Sequence, residues 1–411
     1  MEAAAGIEDG RRMAGFKDFY QFTAPTRVIA GRDLLGSIGF EFAKEGAQRL
    51  LVVTDEVIRG TGLVDRVAAG VADGGLEVAG VFDAVPPDSD SKVVAATADA
   101  AREHEADSIL AVGGGSVMDT AKAANVVFVN GGEPRDWEGY FGLPRAGDGM
   151  GRPEELAPLA CVPTTAGTGS EVSFAAVIKD ADAHIKFQIG DFPLYPRLAV
   201  LDPEATATLP PAIAAATGMD AVTHAIEGYV SSEWSPHGDA CALQALRLIR
   251  DNLRRAVETP EDEDARGNML IAANLAIQPT STGALGIAHS MSHPAGALYG
   301  VPHGVANAIN LPWVIEFNAA AGEDIADRYR TINEVLGLEV GGPGAEVGQV
   351  LAGHVRELRS ELGLPGRLSE VGVPEAGIPE LVEGAMGDGC TLVNPVDPTE
   401  EDFAQLYRKA L

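Results

Sequence analysis

Short β-branched runs alternate with helix-period stretches through the first half of the chain. Residues 50–54, 78–82, 108–112, 159–162 and 198–201 read as strands. They run into turn signals: Asp55, Pro86-Pro87, Gly113-Gly114-Gly115, Pro163 and Asp202-Pro203. Residues 91–104 and 116–129 carry helical patterns between them. Strand, helix, strand at this spacing predicts a parallel sheet with crossover helices. After Pro210-Pro211 the pattern changes to almost continuous helix period, broken at Pro236, Pro260, Pro279, Gly300-Val301-Pro302 and Gly341-Gly342-Pro343. The expected organisation is a flexible leader over residues 1–15, an α/β dinucleotide-binding domain over 16–205 and an α-helical domain over 206–411 that closes a cleft on it.

Composition narrows the class. With 411 residues, 46% hydrophobic and 22% charged, the chain is too apolar for disorder and long enough for more than one core. Thirty Lys and Arg against 60 Asp and Glu give a net charge of −30. Such a surface repels phosphate backbones and anionic lipid, so no nucleic-acid or membrane-surface partner is expected. The three cysteines, Cys161, Cys241 and Cys390, are widely spaced, which excludes a disulfide framework and suits a reducing, cytoplasmic compartment. Residues 1–15 lack the apolar core of a signal peptide. The longest mildly apolar stretch, 269–288, is interrupted by Asn274, Gln278, Pro279 and Gly283 and reads as a buried helical region rather than a bilayer span.

Two loops at strand ends carry candidate chemistry. Gly113-Gly114-Gly115-Ser116 joins a strand to a helix, where bare amides and the helix N-terminus suit a pyrophosphate. It matches neither GxGxxG nor the Walker pattern, and a tight turn without a ligand explains it equally well. Pro163-Thr164-Thr165-Ala166-Gly167-Thr168-Gly169-Ser170 offers hydroxyls and amides to phosphate or ribose, or Thr168 or Ser170 simply caps a helix. Asp55, ending the 50–54 strand, is placed either to accept hydrogen bonds from an adenosine ribose, favouring NAD over NADP, or to be a solvated turn acid.

The eight histidines are His104, His184, His224, His237, His289, His293, His303 and His354. Asp220 and His224 stand at i and i+4, as do His289 and His293, and His303 follows Gly300-Val301-Pro302. On helices, such pairs share a face and can chelate one ion. Imidazoles with a carboxylate suit Fe²⁺, Zn²⁺, Mn²⁺ or Co²⁺.

Taken together, Gly113 to Ser116 with Asp119, the Pro163–Thr168 loop, Asp220 to His224 and His289 to His303 resemble the iron-containing (group III) alcohol dehydrogenase family over residues 19–411. The resemblance extends to the tail, through Asn394-Pro395, Thr399 and Asp402. It implies a Rossmann-like α/β domain followed by an all-helical domain, the architecture shared with dehydroquinate synthase. It also implies hydride transfer between a small alcohol and NAD(H), with one divalent metal, Fe²⁺ first and Zn²⁺ or another ion as alternatives. On the matching positions, Asp220, His224, His289 and His303 correspond to the metal ligands. Asp55, Gly114, Gly115, Ser116, Thr164, Thr165, Thr168, Val177 and Lys186 correspond to cofactor contacts, with Lys186 near the nicotinamide ribose. His293 falls on a non-ligand histidine of the catalytic cleft and is a candidate proton relay. Asp88, in Pro87-Asp88-Ser89-Asp90, departs from the Asn of many members, which bears on nucleotide affinity. A homo-oligomer, a dimer or larger, is expected.

Other readings remain. Maleylacetate reductases typically lose part of the ligand pattern that is intact here, and hydroxyacid-oxoacid transhydrogenases keep NAD bound through turnover. A dehydroquinate-synthase-like lyase needs basic residues for an anionic substrate, and few Lys or Arg flank these ligands. A non-enzymatic metal and nucleotide sensor completes the set.

Overall fold

The computed structural model describes residues 19–141, 143, 156–183, 185–282 and 285–411. The expected leader over 1–15 and His184 lie outside these residues. The chain forms two compact units, one over residues 24–209 and one over 210–411 that also takes in residues 19–23. The division falls four residues beyond the boundary expected from sequence. Phe22 stacks on His237 at 5.3 Å between ring centroids, which ties the first described residues to the helical unit rather than to the sheet.

The first unit is built on a six-stranded parallel sheet. Its strands are β1 (Arg27–Ala30), β2 (Arg49–Val53), β3 (Glu77–Phe82), β4 (Ser108–Gly113), β6 (Leu159–Pro163) and β9 (Leu198–Leu201), in the order β1-β9-β6-β4-β2-β3. The central strands β4, β6 and β9 are buried along their whole length, which is why they read as unbroken apolar runs. Helices α1 (Ile38–Ala43), α2 (Glu56–Gly60), α3 (Leu63–Asp73), α4 (Ser91–Glu103) and α5 (Gly115–Asn130) complete the crossovers. One face of the sheet packs Leu50, Val52, Leu110 and Val200 against Leu35, Phe42 and Val67. The other packs Leu51, Val53, Ile109 and Ala111 against Met118 and Ala121 of α5.

A second sheet, not anticipated from the sequence, pairs β7 (Ala175–Asp180) antiparallel with β8 (Ile185–Gly190), and β5 (Gly139–Tyr140) runs parallel to β8. Ala176, Ile178, Phe187 and Ile189 bury one face against Val94 and Ala98 of α4 and Ala123 and Val127 of α5. The strands alternate buried and half-buried positions, so Lys179, Lys186 and Gln188 dilute the apolar signal.

The second unit holds α6 (Pro211–Val230), α7 (Pro236–Glu258), α8 (Glu263–Ile277), α9 (Ile287–Tyr299), α10 (His303–Ala319), α11 (Glu323–Leu336), α12 (Gly344–Glu361), α13 (Ile378–Met386) and α14 (Glu400–Ala410). The 269–288 stretch is not one helix: α8 ends at Ile277, and residues 278–282 form a 3₁₀ turn around Pro279. Among the described residues no helix is long and apolar enough to cross a membrane.

Candidate active site

In the helical unit, α6, α9 and α10 bring together the expected metal-binding side chains. Asp220 and His224 lie one turn apart on α6, buried at 2% and 4% exposure. His289 sits in the first turn of α9, and His303 opens α10. Gly304, directly after His303, is where α10 meets α6: a Cβ there would stand 2.1 Å from the carbonyl oxygen of Ala216, so only glycine permits the approach. The Nε2 atoms of His289 and His303 each lie 3.6 Å from Asp220 Oδ1, and that of His224 lies 3.9 Å from it. The rings of His224 and His289 stack at 4.8 Å.

Three residues that sequence reasoning did not name complete the arrangement. Glu227, buried at 2% exposure, accepts the His289 Nδ1 hydrogen on Oε2 at 2.6 Å and the Ala288 N–H on Oε1 at 2.6 Å. Asn307 donates from Nδ2 to Asp220 Oδ1 at 2.8 Å and lies 3.0 Å and 3.2 Å from the Nε2 atoms of His289 and His303. Asp388 accepts the His293 Nδ1 hydrogen at 2.6 Å and the Cys390 N–H at 2.9 Å. Glu227 follows His224 by one helical turn, and Asn307 follows His303 by another. The spacing rule that found the pairs would have found both.

The electrostatics ask for positive charge. Burial disfavours the ionised form of Asp220, yet His224, His303 and His289 hold its carboxyl well below the usual range. Burial likewise pushes His289 down, but its bonds to Asp220 and Glu227 prevail and lift it to about 9. The ion pairs described for Asp220 and Glu227 are all with imidazoles. A divalent ion held between these groups would supply compensating positive charge. One carboxylate oxygen and three imidazole nitrogens are a donor set that fits such an ion. With Nδ1–H given to Glu227, His289 has its Nε2 directed toward the cluster, the tautomer a ligand needs. His293 is not part of this group. Its ring stacks on His303 at 5.4 Å while its Nδ1 is engaged by Asp388. Burial would raise the Asp388 carboxyl, but the neighbouring His293 and the Cys390 amide hold it well below the usual range.

In the sheet unit, the expected cofactor loops also come together. Gly114 caps α5 and Gly115 begins it. Here a Cβ on Gly115 would meet Thr168 Cγ2 at 2.7 Å, so the glycine turn and the Thr164–Thr168 loop are in close contact. Thr165 Oγ1 is buried and has no hydrogen-bond partner among the described residues, as fits a hydroxyl that serves a ligand. Asp119 of α5 accepts from Ser170 Oγ at 2.6 Å and from the Val177 N–H at 3.1 Å, which fixes the second loop and β7 to the helix behind the turn. Lys122, fully buried, donates to Ser170, Ser173 and the Ala175 carbonyl. Asp55 caps α2, accepting from the Ile58 N–H at 2.8 Å. Lys186, on β8, pairs with Asp88 at 2.9 Å.

Comparison with known proteins agrees with both halves. Residues 25–203 match the family described as iron-containing alcohol dehydrogenase, and residues 214–411 match the C-terminal part of the Fe-containing alcohol dehydrogenase family. The chain is 36% identical over 391 residues to an NAD-dependent methanol dehydrogenase of Bacillus methanolicus, covering 95% of this chain and 99% of that protein. It is 36% identical to a lactaldehyde reductase of Escherichia coli (strain K12), covering 92% and 96%. A crystal structure of 1,3-propanediol oxidoreductase superposes with a TM-score of 0.89 at 33% identity, covering 96% of this chain and 100% of that one. The chain belongs to the iron-containing alcohol dehydrogenase family of oxidoreductases.

Proposed function

We propose that the protein interconverts a small alcohol and its aldehyde or ketone with NAD(H), through a divalent metal held by Asp220, His224, His289 and His303. The observation that carries this reading is the convergence of three imidazole Nε2 atoms within 3.9 Å of one buried carboxylate oxygen. Bound there, the ion would supply Lewis acidity toward the alcohol or carbonyl oxygen, lowering the alcohol pKa. The nicotinamide would supply the hydride acceptor or donor. Glu227 orients His289. Asp388 holds His293 by Nδ1, which leaves Nε2 to take or return the alcohol proton. The amides of Gly114, Gly115 and Ser116 at the start of α5 would bind the pyrophosphate, with Thr164, Thr165, Thr168, Val177 and Lys186 completing the contacts. Fe²⁺ is the first choice of ion and Zn²⁺ the alternative. The three free cysteines suit a reducing cytoplasm. Assembly as a dimer or larger homo-oligomer is checked by sedimentation.

The reading is tested by assaying an alcohol and aldehyde panel with NAD, NADH and NADPH on protein loaded anaerobically with Fe²⁺ or Zn²⁺. Turnover of added NAD(H) is expected. Exchange between two substrates without use of added cofactor would mark a transhydrogenase, and inactivity in every metal form would reject the proposal.

Two variants probe named residues. Asp55→Ser keeps an oxygen to cap α2 while removing the charge that a 2′-phosphate would meet. The kcat/KM ratio of NADP to NAD should rise by roughly fivefold or more. A wild type that prefers NADP, or an unchanged ratio, rejects the assignment of Asp55. His293→Gln should retain metal and NADH yet lower kcat by on the order of 10²-fold and change its pH profile. An unaltered profile would leave His293 as packing.

A further inference from the structure

Asp88 occupies an unusual piece of backbone. Its φ is +61°, the left-handed region that Asn and Asp tolerate better than other side chains. Neighbours on two sides hold it there. The Asp88 N–H donates to Ser116 Oγ at 3.1 Å, and the Ser89 and Thr120 hydroxyls pair at 2.6 Å. The Ser89 carbonyl accepts from the Lys179 N–H at 2.7 Å. The segment is thus fastened both to the first turn of α5 and to β7, so the place of the Asp88 side chain is set by its backbone. Its Oδ1 receives Lys186 Nζ at 2.9 Å, with the lysine side chain 16% exposed and the aspartate side chain 45% exposed. One carboxylate therefore sits beside the turn read as the pyrophosphate site and occupies the lysine read as a cofactor contact.

We infer that Asp88 is an internal competitor for Lys186, which keeps the ammonium engaged and sets cofactor affinity below what a neutral side chain at this position would give. The inference rests on the reading of Gly114, Gly115, Ser116 and Lys186 as cofactor contacts. An anionic cofactor can engage Lys186 only by sharing it with Asp88 or by parting the pair. In either case the attraction it gains is reduced by what the pair loses. Asparagine in the same place keeps the left-handed backbone and the N–H to Ser116, and it removes the charge that binds the lysine.

The test titrates NADH by fluorescence, and ADP-ribose and adenosine by calorimetry, against wild type, Asp88→Asn, Lys186→Met and the double variant. Asp88→Gly, which also suits φ +61°, serves as a second version should the asparagine fold poorly. Asp88→Asn should tighten NADH and ADP-ribose about fivefold, leave adenosine unchanged, and bring less than about twofold once Lys186 is methionine. Unchanged or weaker NADH binding would overturn the inference. So would a full gain without Lys186, because the carboxylate would then act on the cofactor directly. Wild-type protein that binds neither NADH nor ADP-ribose would instead sink the cofactor reading itself.

Discussion

Purified His303→Ala protein is expected to lose its divalent ion and its turnover while melting close to wild type. His303 opens α10 with its side chain 34% exposed, so truncating it removes one donor and one partner of Asp220, which keeps His224 and His289, and leaves Glu227 paired. His289→Ala should lose the ion as well, but it should also lose stability. His289 is 1% exposed and is the ion-pair partner described for Glu227, itself 2% exposed. Removing one partner of a buried pair leaves the other uncompensated, at a cost of roughly 3–5 kcal/mol. Asp220 loses one of its three imidazoles in the same step. Both variants should show metal contents far below stoichiometric by elemental analysis after equal loading. They should then be separated by thermal melting, with His289→Ala clearly lower. Full occupancy and activity in either variant would show that the ion sits elsewhere. If the protein is loaded with Fe²⁺, activity should also decline in air through oxidation of the ion, whereas the Zn²⁺ form should be insensitive.

Much of this arrangement was legible before the structure, for physical reasons that differ by element. The buried parallel strands β2, β4, β6 and β9 cannot alternate, so they stood out as apolar runs ending in Asp, Gly or Pro. The β7–β8 hairpin was missed because its strands bury one side only. The proposed metal donors were legible as candidates because the helical repeat places Asp220 with His224 on one face. Partners distant in sequence were harder to see. Asp388 meets His293 across 95 residues of sequence, and Lys186 meets Asp88 across 98. Such partners are fixed only by tertiary packing, and no local spacing announces them. Asp55 shows the converse. Its place at a strand end was read correctly from sequence, but its duty as the cap of α2 became visible only when the Ile58 amide was seen to turn toward it.

Glu227→Gln should lower metal affinity by roughly 10- to 100-fold although the residue is not a ligand. Glu227 uses both oxygens as acceptors, one for the His289 Nδ1 hydrogen and one for the Ala288 N–H, each at 2.6 Å. Glutamine offers one acceptor and one NH₂ group, so one of the two donors must face another donor. If the amide oxygen stays with Ala288, the imidazole is no longer held with Nδ1–H outward, and its Nε2 lone pair is no longer fixed toward Asp220. If the oxygen stays with His289, the first turn of α9 loses its bond and the ring shifts with the backbone. The charge is lost in either case, and with it part of the field that stabilises a divalent cation beside Asp220. The measurement is metal affinity by competition with a chelator of known strength, together with kcat at saturating metal. Affinity should fall, whereas kcat at saturation should recover to within about tenfold of wild type, because all four proposed ligands remain. An unchanged affinity would reduce Glu227 to packing. A kcat that stays near zero at full occupancy would instead place its carboxylate in the chemistry.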